Sequence, residues 1–319
     1  MRARTGSILV LAAASLTVAS LAGCGTASAS PGGDPSPIPG ELGSAAPGSA
    51  APPAGNRAEA DALARLLLSR LRLPAGTRRL PDTPAPAFLG QPASEAAGAQ
   101  LDEHRFFAVA ESPAALSGYL AAHVPDGMTS YGTGQLSGPG GPTTLDVSYL
   151  ARPVPAGIYS AQVVLTMVPD GSGGSHLRAD AQVTWYPSRT AAEYVNPARY
   201  HVLTMTVTVD GRKVHTIHKV VTSQADIARL AAALNRSPAE PDVYISCPAI
   251  FVTYQLALSV SRHTRPAVVI FANSISCGGT AITVDGRPQP ALADRGSVAA
   301  AANQALGYTP KPILLFSHR

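Results

Sequence analysis

Eight histidines are the side chains best suited to hold a metal ion in this 319-residue chain. Only His215 and His218 lie close together, in a segment that predicts a β-strand. Residues three apart on a strand point to opposite faces, so this pair cannot converge on one ion. A hairpin turn at Asp210-Gly211 would place His215 beside Thr206 rather than beside another histidine. The sequence therefore predicts no metal site and no cofactor.

The acidic residues predict no catalytic pair either. A glycosidase needs two converging carboxylates, but only 20 residues are acidic. Asp102, Glu103 and Glu111 are close in sequence and are expected to be solvated. The other candidates are expected to have a backbone role in turns: Asp242, Asp285 and Asp294.

Motifs for covalent catalysis are missing from the sequence. It contains no Gly-x-Ser-x-Gly elbow, no Ser-x-x-Lys pair and no glycine-rich phosphate loop ahead of a helix. His104, His123 and Asp126 are polar and lie near predicted loops. They are the side chains that an exported hydrolase would use if folding brought them together. That hydrolase is the alternative to a non-enzymatic protein.

Two of the three cysteines, Cys247 and Cys277, are candidates for a disulfide. In an oxidising compartment an even number of cysteines predicts a bond between them. It would close a loop of about 30 residues and contribute about 3–4 kcal/mol in the loop-entropy account. A catalytic thiol or a two-cysteine metal site is the alternative, although no further zinc ligand lies beside either cysteine.

The third cysteine, Cys24, follows Leu21-Ala22-Gly23 at the end of a short apolar segment. With two arginines among the first five residues, residues 1–23 have the form of a secretory signal peptide. The tetrapeptide resembles the bacterial lipobox, whose cysteine is lipidated and becomes the first mature residue. The apolar stretch of about 14 residues is shorter than the ~20 that span a bilayer. A transmembrane anchor and a plain secreted protein are the alternatives.

Composition limits the remaining function classes. The 24 basic and 20 acidic residues give a formal charge of +4, without a dense stripe of Lys or Arg. That balance excludes the electrostatic surface of a nucleic-acid-binding protein. Residues 24–56 are mostly Pro, Gly, Ser and Ala, which predicts a disordered tether. The length that follows suits one large or two modest domains.

The first ordered unit is predicted to span residues 57–196. Leucines at helical spacing predict a helix over 57–72 that ends before Pro74. Ser112-Pro113 has the residue types that begin a second helix, which should reach about His123. Alternating residues predict a short strand and then an antiparallel meander with one wet face. These strands cover 105–109, 143–151, 159–168 and 177–186, and loops are expected at 74–100 and 129–142.

The second unit is predicted to span residues 197–319. Threonines alternate with apolar residues over 203–209, and Asp210-Gly211 predicts a hairpin to a strand at 213–221. Gly307 is the expected stop of the last helix. The other predicted elements are a helix capped by Thr222 or Ser223, strands at 243–246, 250–260, 267–273, 280–285 and 313–316, and the last helix at 297–306.

Six short motifs carry a resemblance: Arg178–Pro187, Ser246-Cys247-Pro248, Thr253-Tyr254-Gln255-Leu256, Cys277-Gly278-Gly279, Val284-Asp285-Gly286-Arg287 and Pro290-Ala291-Leu292-Ala293-Asp294. They resemble segments of uncharacterised actinobacterial surface lipoproteins. The resemblance covers about half of the chain behind Cys24 and implies a lipid anchor and a disulfide-closed α+β module. It carries over no catalytic residue.

Together these observations predict an α+β protein with two antiparallel-sheet units and a few packed helices behind a tether. We expect it at the outer face of the cytoplasmic membrane, anchored through Cys24. The predicted role is a non-enzymatic binding or interaction module whose partner is an envelope protein, a wall polymer or a small ligand.

Replacing Cys24 by Ala tests the anchor. The wild-type protein should partition with membranes and carry lipid mass on Cys24, because more than one acyl chain is needed for firm anchoring. The Cys24→Ala protein should be soluble and lack that mass. Fractionation followed by intact-mass measurement decides it, and a cleaved, unmodified and soluble wild type contradicts the anchor.

Overall fold

A computed structural model describes residues 54–82, 89–90, 92, 98–137, 142–210, 214–242, 252–275 and 278–310. Within these ranges the protein is α+β, with two antiparallel sheets of six strands each and four helices. No helix in these ranges has the length and apolar character to cross a membrane.

Several predictions fall outside the described residues. Cys24, Cys247 and Cys277 are among them, so lipidation and the disulfide stay predictions. The strands predicted at 243–246 and 313–316 lie there too. The division into a signal peptide, a tether and units at 57–196 and 197–319 also stays a prediction.

The first sheet has the strand order β1-β2-β6-β5-β4-β3. Each strand runs antiparallel to its neighbours. Two helices cover one face, where they bury apolar side chains of β2, β4, β5 and β6. The bounds are α1 Arg57–Ser69, β1 Arg78–Arg79, β2 Gln100–Val109, α2 Pro113–Ala122, β3 Met128–Leu136, β4 Thr144–Ala151, β5 Ile158–Pro169 and β6 Ser175–Trp185.

Both helices begin directly after a residue whose side chain caps the first turn, and for α2 this residue is the predicted Ser112. The Asn56 side chain accepts a hydrogen bond from the Glu59 amide at 2.9 Å, which satisfies one free donor of the first turn. Ser112 caps α2 in the same way, and Pro113 follows at the first helical position. The Gly55 amide donates to the Tyr186 carbonyl at 3.2 Å, which ties the residues just before α1 to the residue after β6.

The second sheet has the order β12-β11-β10-β9-β7-β8. Helices α3 and α4 pack on one face and share a core with the apolar side chains of its strands. Ser223 caps α3, and Gly307 ends α4 with the left-handed backbone expected there. The bounds are β7 Val202–Val209, β8 His215–Val221, α3 Gln224–Arg236, β9 Val252–Ser259, β10 Val268–Asn273, β11 Thr280–Val284, β12 Arg287–Leu292 and α4 Ser297–Leu306.

Four strands were missed or misjudged in length at the sequence level. The shortest, β1, is a two-residue edge strand inside the predicted loop 74–100. The predicted loop 129–142 contains most of β3, an edge strand whose side chains are nearly all exposed and therefore do not alternate. β12 holds two prolines, which are tolerated because it is an edge strand. β2 starts at Gln100 rather than at 105, so it is twice as long as predicted.

The two Asp-Gly turns behave differently. Asp285 and Gly286 both have positive φ (47° and 76°) and join β11 to β12 in the predicted two-residue turn. In the other hairpin, Val209 pairs with His215, so the connection is longer than the predicted turn. As a result His218, and not His215, lies opposite Thr206.

Arg189 ties the segment after β6 to the end of α3. Its Nη1 donates to the carbonyl oxygens of Leu234 (2.8 Å) and Ser237 (2.7 Å), and its Nη2 donates to that of Glu193 (2.6 Å). Only 3% of the side chain is exposed. A buried cation at the carbonyl end of a helix satisfies free acceptors and complements the helix dipole.

Replacing Arg189 by Lys should lower the free energy of unfolding by about 2–3 kcal/mol, because one ammonium cannot reproduce a planar fork that reaches three carbonyls. Arg199→Lys is the control, since Arg199 is exposed and lies beside the Tyr200 ring. Urea denaturation measures both variants, and equal losses would contradict the role of Arg189.

Candidate functional site

The second face of the first sheet is polar and buried. Arg178, Asp180, Gln182 and Thr184 alternate along β6, and none is more than 3% exposed. The prediction that one face of this meander is exposed to water is therefore wrong for β6. Buried polar residues in such number are unusual and must be paired with one another.

Apolar side chains border this polar layer. Phe106 on β2 and Val168 on β5 pack with Leu89 and the partly buried Leu80. The Leu89 carbonyl accepts a hydrogen bond from Arg178 Nη1 at 2.8 Å. The Arg178 guanidinium also lies 5.5 Å from the centre of the Phe106 ring. The arginine is thus fixed on several sides.

Asp102, His104 and Asp180 form a cluster at the centre of the layer. One ligand atom from each lies within 4.8 Å of the others. Asp102 and His104 are two residues apart on β2 and share a face, and His104 is paired directly with Asp180 across the β2–β6 ladder. The register of two strands therefore assembles the cluster.

Each carboxylate of the cluster has one oxygen with a donor and one without. Arg178 Nε donates to Asp180 Oδ1 at 2.6 Å, and Gln182 Nε2 donates to Asp102 Oδ2 at 3.2 Å. Gln162 Nε2 in turn donates to Gln182 Oε1 at 2.7 Å. Asp180 Oδ2 and Asp102 Oδ1 are buried and have no donor among the described residues.

The environment opposes ionisation of Asp180. Burial, and then the neighbouring Asp102 charge, raise the pKa of Asp180 to about 7. Arg178 acts in the opposite direction but does not offset these two effects. Two nearby carboxylates in a dry environment need a proton or a cation between them.

Other polar atoms on this face also lack partners. Asp146 on β4, Thr166 on β5 and His176 on β6 share the sheet face of the cluster, and each has a buried polar atom without a partner in the described chain. Such atoms are rare in folded proteins and concentrate where function requires them. The polar layer is therefore a candidate functional site.

The candidate residues of the hydrolase alternative have separate partners. His104 joins the cluster, whereas His123 caps α2, donates from Nδ1 to the Tyr119 carbonyl oxygen (2.7 Å) and stacks on the Tyr119 ring. Asp126 is exposed and pairs with Arg72 at 2.8 Å. Of the three hydrolase candidates, His104 is therefore the one that lies in a cluster with acids. Those acids are Asp102 and Asp180 rather than the predicted Asp126.

Two expectations about acids were wrong. Asp102 was expected to be solvated, but the longer β2 carries it onto the buried face beside β6. Glu111 was expected to be solvated as well, yet its Oε2 is buried. Asp294 does have the predicted backbone role, because its Oδ2 accepts from the Val298 amide at 3.1 Å.

Sequence reasoning missed Asp180, although one signal for it exists. The even positions of β6 are all polar and the odd positions are mostly apolar, which assigns Asp180 to one face together with Arg178 and Gln182. Whether that face is wet or buried depends on what packs against it, and periodicity does not carry that information.

The second sheet differs, because the face opposite its helices is open. A row of side chains crosses five neighbouring strands, and each member is paired with the next in the ladder. Phe271 lies near the middle with 51% of its surface exposed. The row is His218, Thr206, Gln255, Phe271 and Ala281.

A shallow groove of about 390 Å³ follows this row. None of its lining residues carries a charged side chain, and most offer a hydroxyl or an amide. The open face is thus polar and uncharged around a single exposed aromatic ring, that of Phe271. The lining residues are Thr206, Thr208, Thr253, Tyr254, Gln255, Phe271, Ala272 and Asn273.

Comparisons with protein-family models, with curated proteins and with solved structures found no match to this chain. The two sheets are therefore interpreted from their own side chains.

The raised pKa of Asp180 makes a prediction for the metal-free protein. The contribution of Asp180 to the free energy of unfolding should fall as the pH rises from about 4 to about 7. In that range the unfolded chain releases this proton while the folded chain keeps it, so rising pH favours unfolding. Replacing Asp102 by Asn removes the neighbouring charge and leaves Arg178 and His104 in place. We expect this variant to be equally stable at about pH 4 and more stable by about 1 kcal/mol at about pH 8, which is about one pKa unit.

Urea denaturation in EDTA at both pH values measures the difference. Glu103→Gln is the matched control, because it removes a carboxylate from the same strand but from the opposite face. An Asp102→Asn protein that is less stable than the wild type at the higher pH contradicts the unfavourable carboxylate pair.

Proposed function

We propose that this chain is an extracytoplasmic binding module, anchored to the outer face of the cytoplasmic membrane through lipidated Cys24, that binds an uncharged wall polysaccharide on the open face of the second sheet. The lipobox-like sequence that ends at Cys24 supports the anchor. The row of side chains centred on Phe271 carries the binding role.

The chemistry of the open face suits sugar hydroxyl groups. Threonine hydroxyls and the Gln255 amide both donate and accept hydrogen bonds, as a polyhydroxylated ligand requires. The exposed Phe271 ring offers an apolar surface for the face of a sugar ring. Strands lie about 4.8 Å apart, so a row across five strands extends about 19 Å, enough for several sugar units.

The absence of charge in the groove argues against other ligand classes. A polymer rich in phosphate or carboxylate would be matched by Arg or Lys, and neither lines the described groove. A protein interface would favour a larger apolar centre with several aromatic residues or arginines, whereas this groove has one exposed aromatic side chain. A neutral glycan fits both observations.

The predicted tether would serve the same role. Residues 24–56, as a flexible coil, would separate the folded part from the bilayer by about 30 Å on average. A module that must reach the polymer of the wall needs such a spacer, which adds indirect support to the proposal.

Phe271→Ala tests the binding face. The wild-type protein should be retained by insoluble envelope polysaccharide from which phosphate and uronic acid have been removed. Loss of one ring contact of about 1.4 kcal/mol should weaken the retention about 10-fold. Sedimentation over a range of polysaccharide concentrations gives both affinities.

Tyr131→Ala is the matched control, because Tyr131 is an aromatic residue with 67% exposure on β3 of the first sheet. It should bind like the wild type. The proposal fails if the wild type is not retained, if it is retained only by the charged polymer, or if the two variants lose affinity equally.

A further inference from the structure

The half-satisfied carboxylates of the polar layer point to a ligand between them. Asp180 is fully buried, and its Oδ2 has no donor in the described part of the chain. The Asp102 Oδ1 atom is also buried and has no donor among the described residues. Both atoms belong to side chains whose other oxygen is held by Arg178 or Gln182. One carboxylate oxygen of each aspartate lies within 4.8 Å of the other, so one cation could contact both side chains.

His104 supplies a third ligand from a different chemical class. Its ring nitrogen lies within 4.8 Å of a carboxylate oxygen of each aspartate. The Phe106 ring packs edge-to-face with the His104 imidazole, with ring centres 5.4 Å apart and ring planes inclined by 74°. This contact limits rotation of the imidazole. The three ligand atoms come from two adjacent strands, so the sheet itself holds their spacing.

We propose that Asp102, His104 and Asp180 bind one divalent transition-metal ion, with Zn²⁺ preferred over Mn²⁺. Two carboxylate oxygens and an imidazole nitrogen form a donor set that suits these ions. Ca²⁺ needs six to eight oxygen ligands and Mg²⁺ prefers octahedral oxygen, so neither fits three protein ligands that include nitrogen. Asp102 and His104 are partly exposed, which leaves room for a water ligand.

Groups around the ligands would orient them before the ion binds. Gln182, held by Gln162, fixes one oxygen of Asp102, and Arg178 fixes one oxygen of Asp180. Groups that hydrogen-bond to the ligating side chains in this way are a usual outer layer of protein metal sites. Side chains that are already fixed lose little rotational freedom on binding.

The charge of Arg178 moderates the expected affinity. With both aspartates ionised, the cluster and the arginine together carry one net negative charge. A proton shared between the carboxylates is the competing occupant, and it would leave the same oxygens satisfied. Zn²⁺ binding should therefore release a proton and weaken as the pH falls.

The test uses the full chain, stripped with EDTA and titrated by calorimetry with ZnCl₂, MnCl₂, MgCl₂ and CaCl₂. We expect one Zn²⁺ per chain, weaker Mn²⁺ binding and no binding of Mg²⁺ or Ca²⁺ at comparable concentrations. Asp102→Asn and His104→Gln should each weaken Zn²⁺ binding at least about 10–100-fold, the loss seen even when an outer partner is removed. Glu103→Gln and His123→Gln are matched controls and should bind like the wild type.

Co²⁺ gives a readout that does not depend on the variants. Its visible spectrum in the wild type should show oxygen and nitrogen ligands without a thiolate charge-transfer band, which separates this cluster from the cysteines. Circular dichroism checks that each variant is folded. The proposal is overturned if the wild type binds no stoichiometric Zn²⁺, if the spectrum shows thiolate ligands, or if folded Asp102→Asn and His104→Gln proteins bind Zn²⁺ as tightly as their controls.

Discussion

Strand β6 must bury an arginine, an aspartate and a glutamine on one face while it buries alanine, leucine and valine on the other. Removing an isolated charge from water costs several kcal/mol, so Arg178 and Asp180 are tolerable only as a pair. The cluster beside this pair depends on the register of β2 against β6. A shift of β2 by one residue would place Asp102 and His104 on the helix-covered face and separate them from Asp180.

The two sheets share a plan and treat their second face in opposite ways. Each has six antiparallel strands with two helices on one side. In the first sheet the other face is a buried polar layer, whereas in the second it is open and uncharged. One sheet therefore suits a small ion held inside the fold, and the other suits an extended ligand on the surface. The two proposals rest on different residues and stand or fall separately.

Local signals were enough to predict much of the fold. Ser112-Pro113, Ser223 and Gly307 mark helix ends because capping depends on neighbouring residues only. The α+β class and the alternating strands β5 to β7 follow from the same kind of information. Strands β3 and β12 were missed because edge strands need neither alternation nor freedom from proline. The cluster was missed because it depends on pairing between strands whose contacting residues, such as Asp102 and Gln182, are 80 positions apart in sequence.

The position of β6 has a further consequence for dynamics. The strand has hydrogen-bonded neighbours on both edges and packed side chains on both faces. No fluctuation confined to a loop or an edge can expose its amide groups to water. Their exchange with deuterium should therefore require opening of the entire sheet, which makes β6 the slowest-exchanging segment of this sheet and a direct reporter of its global stability.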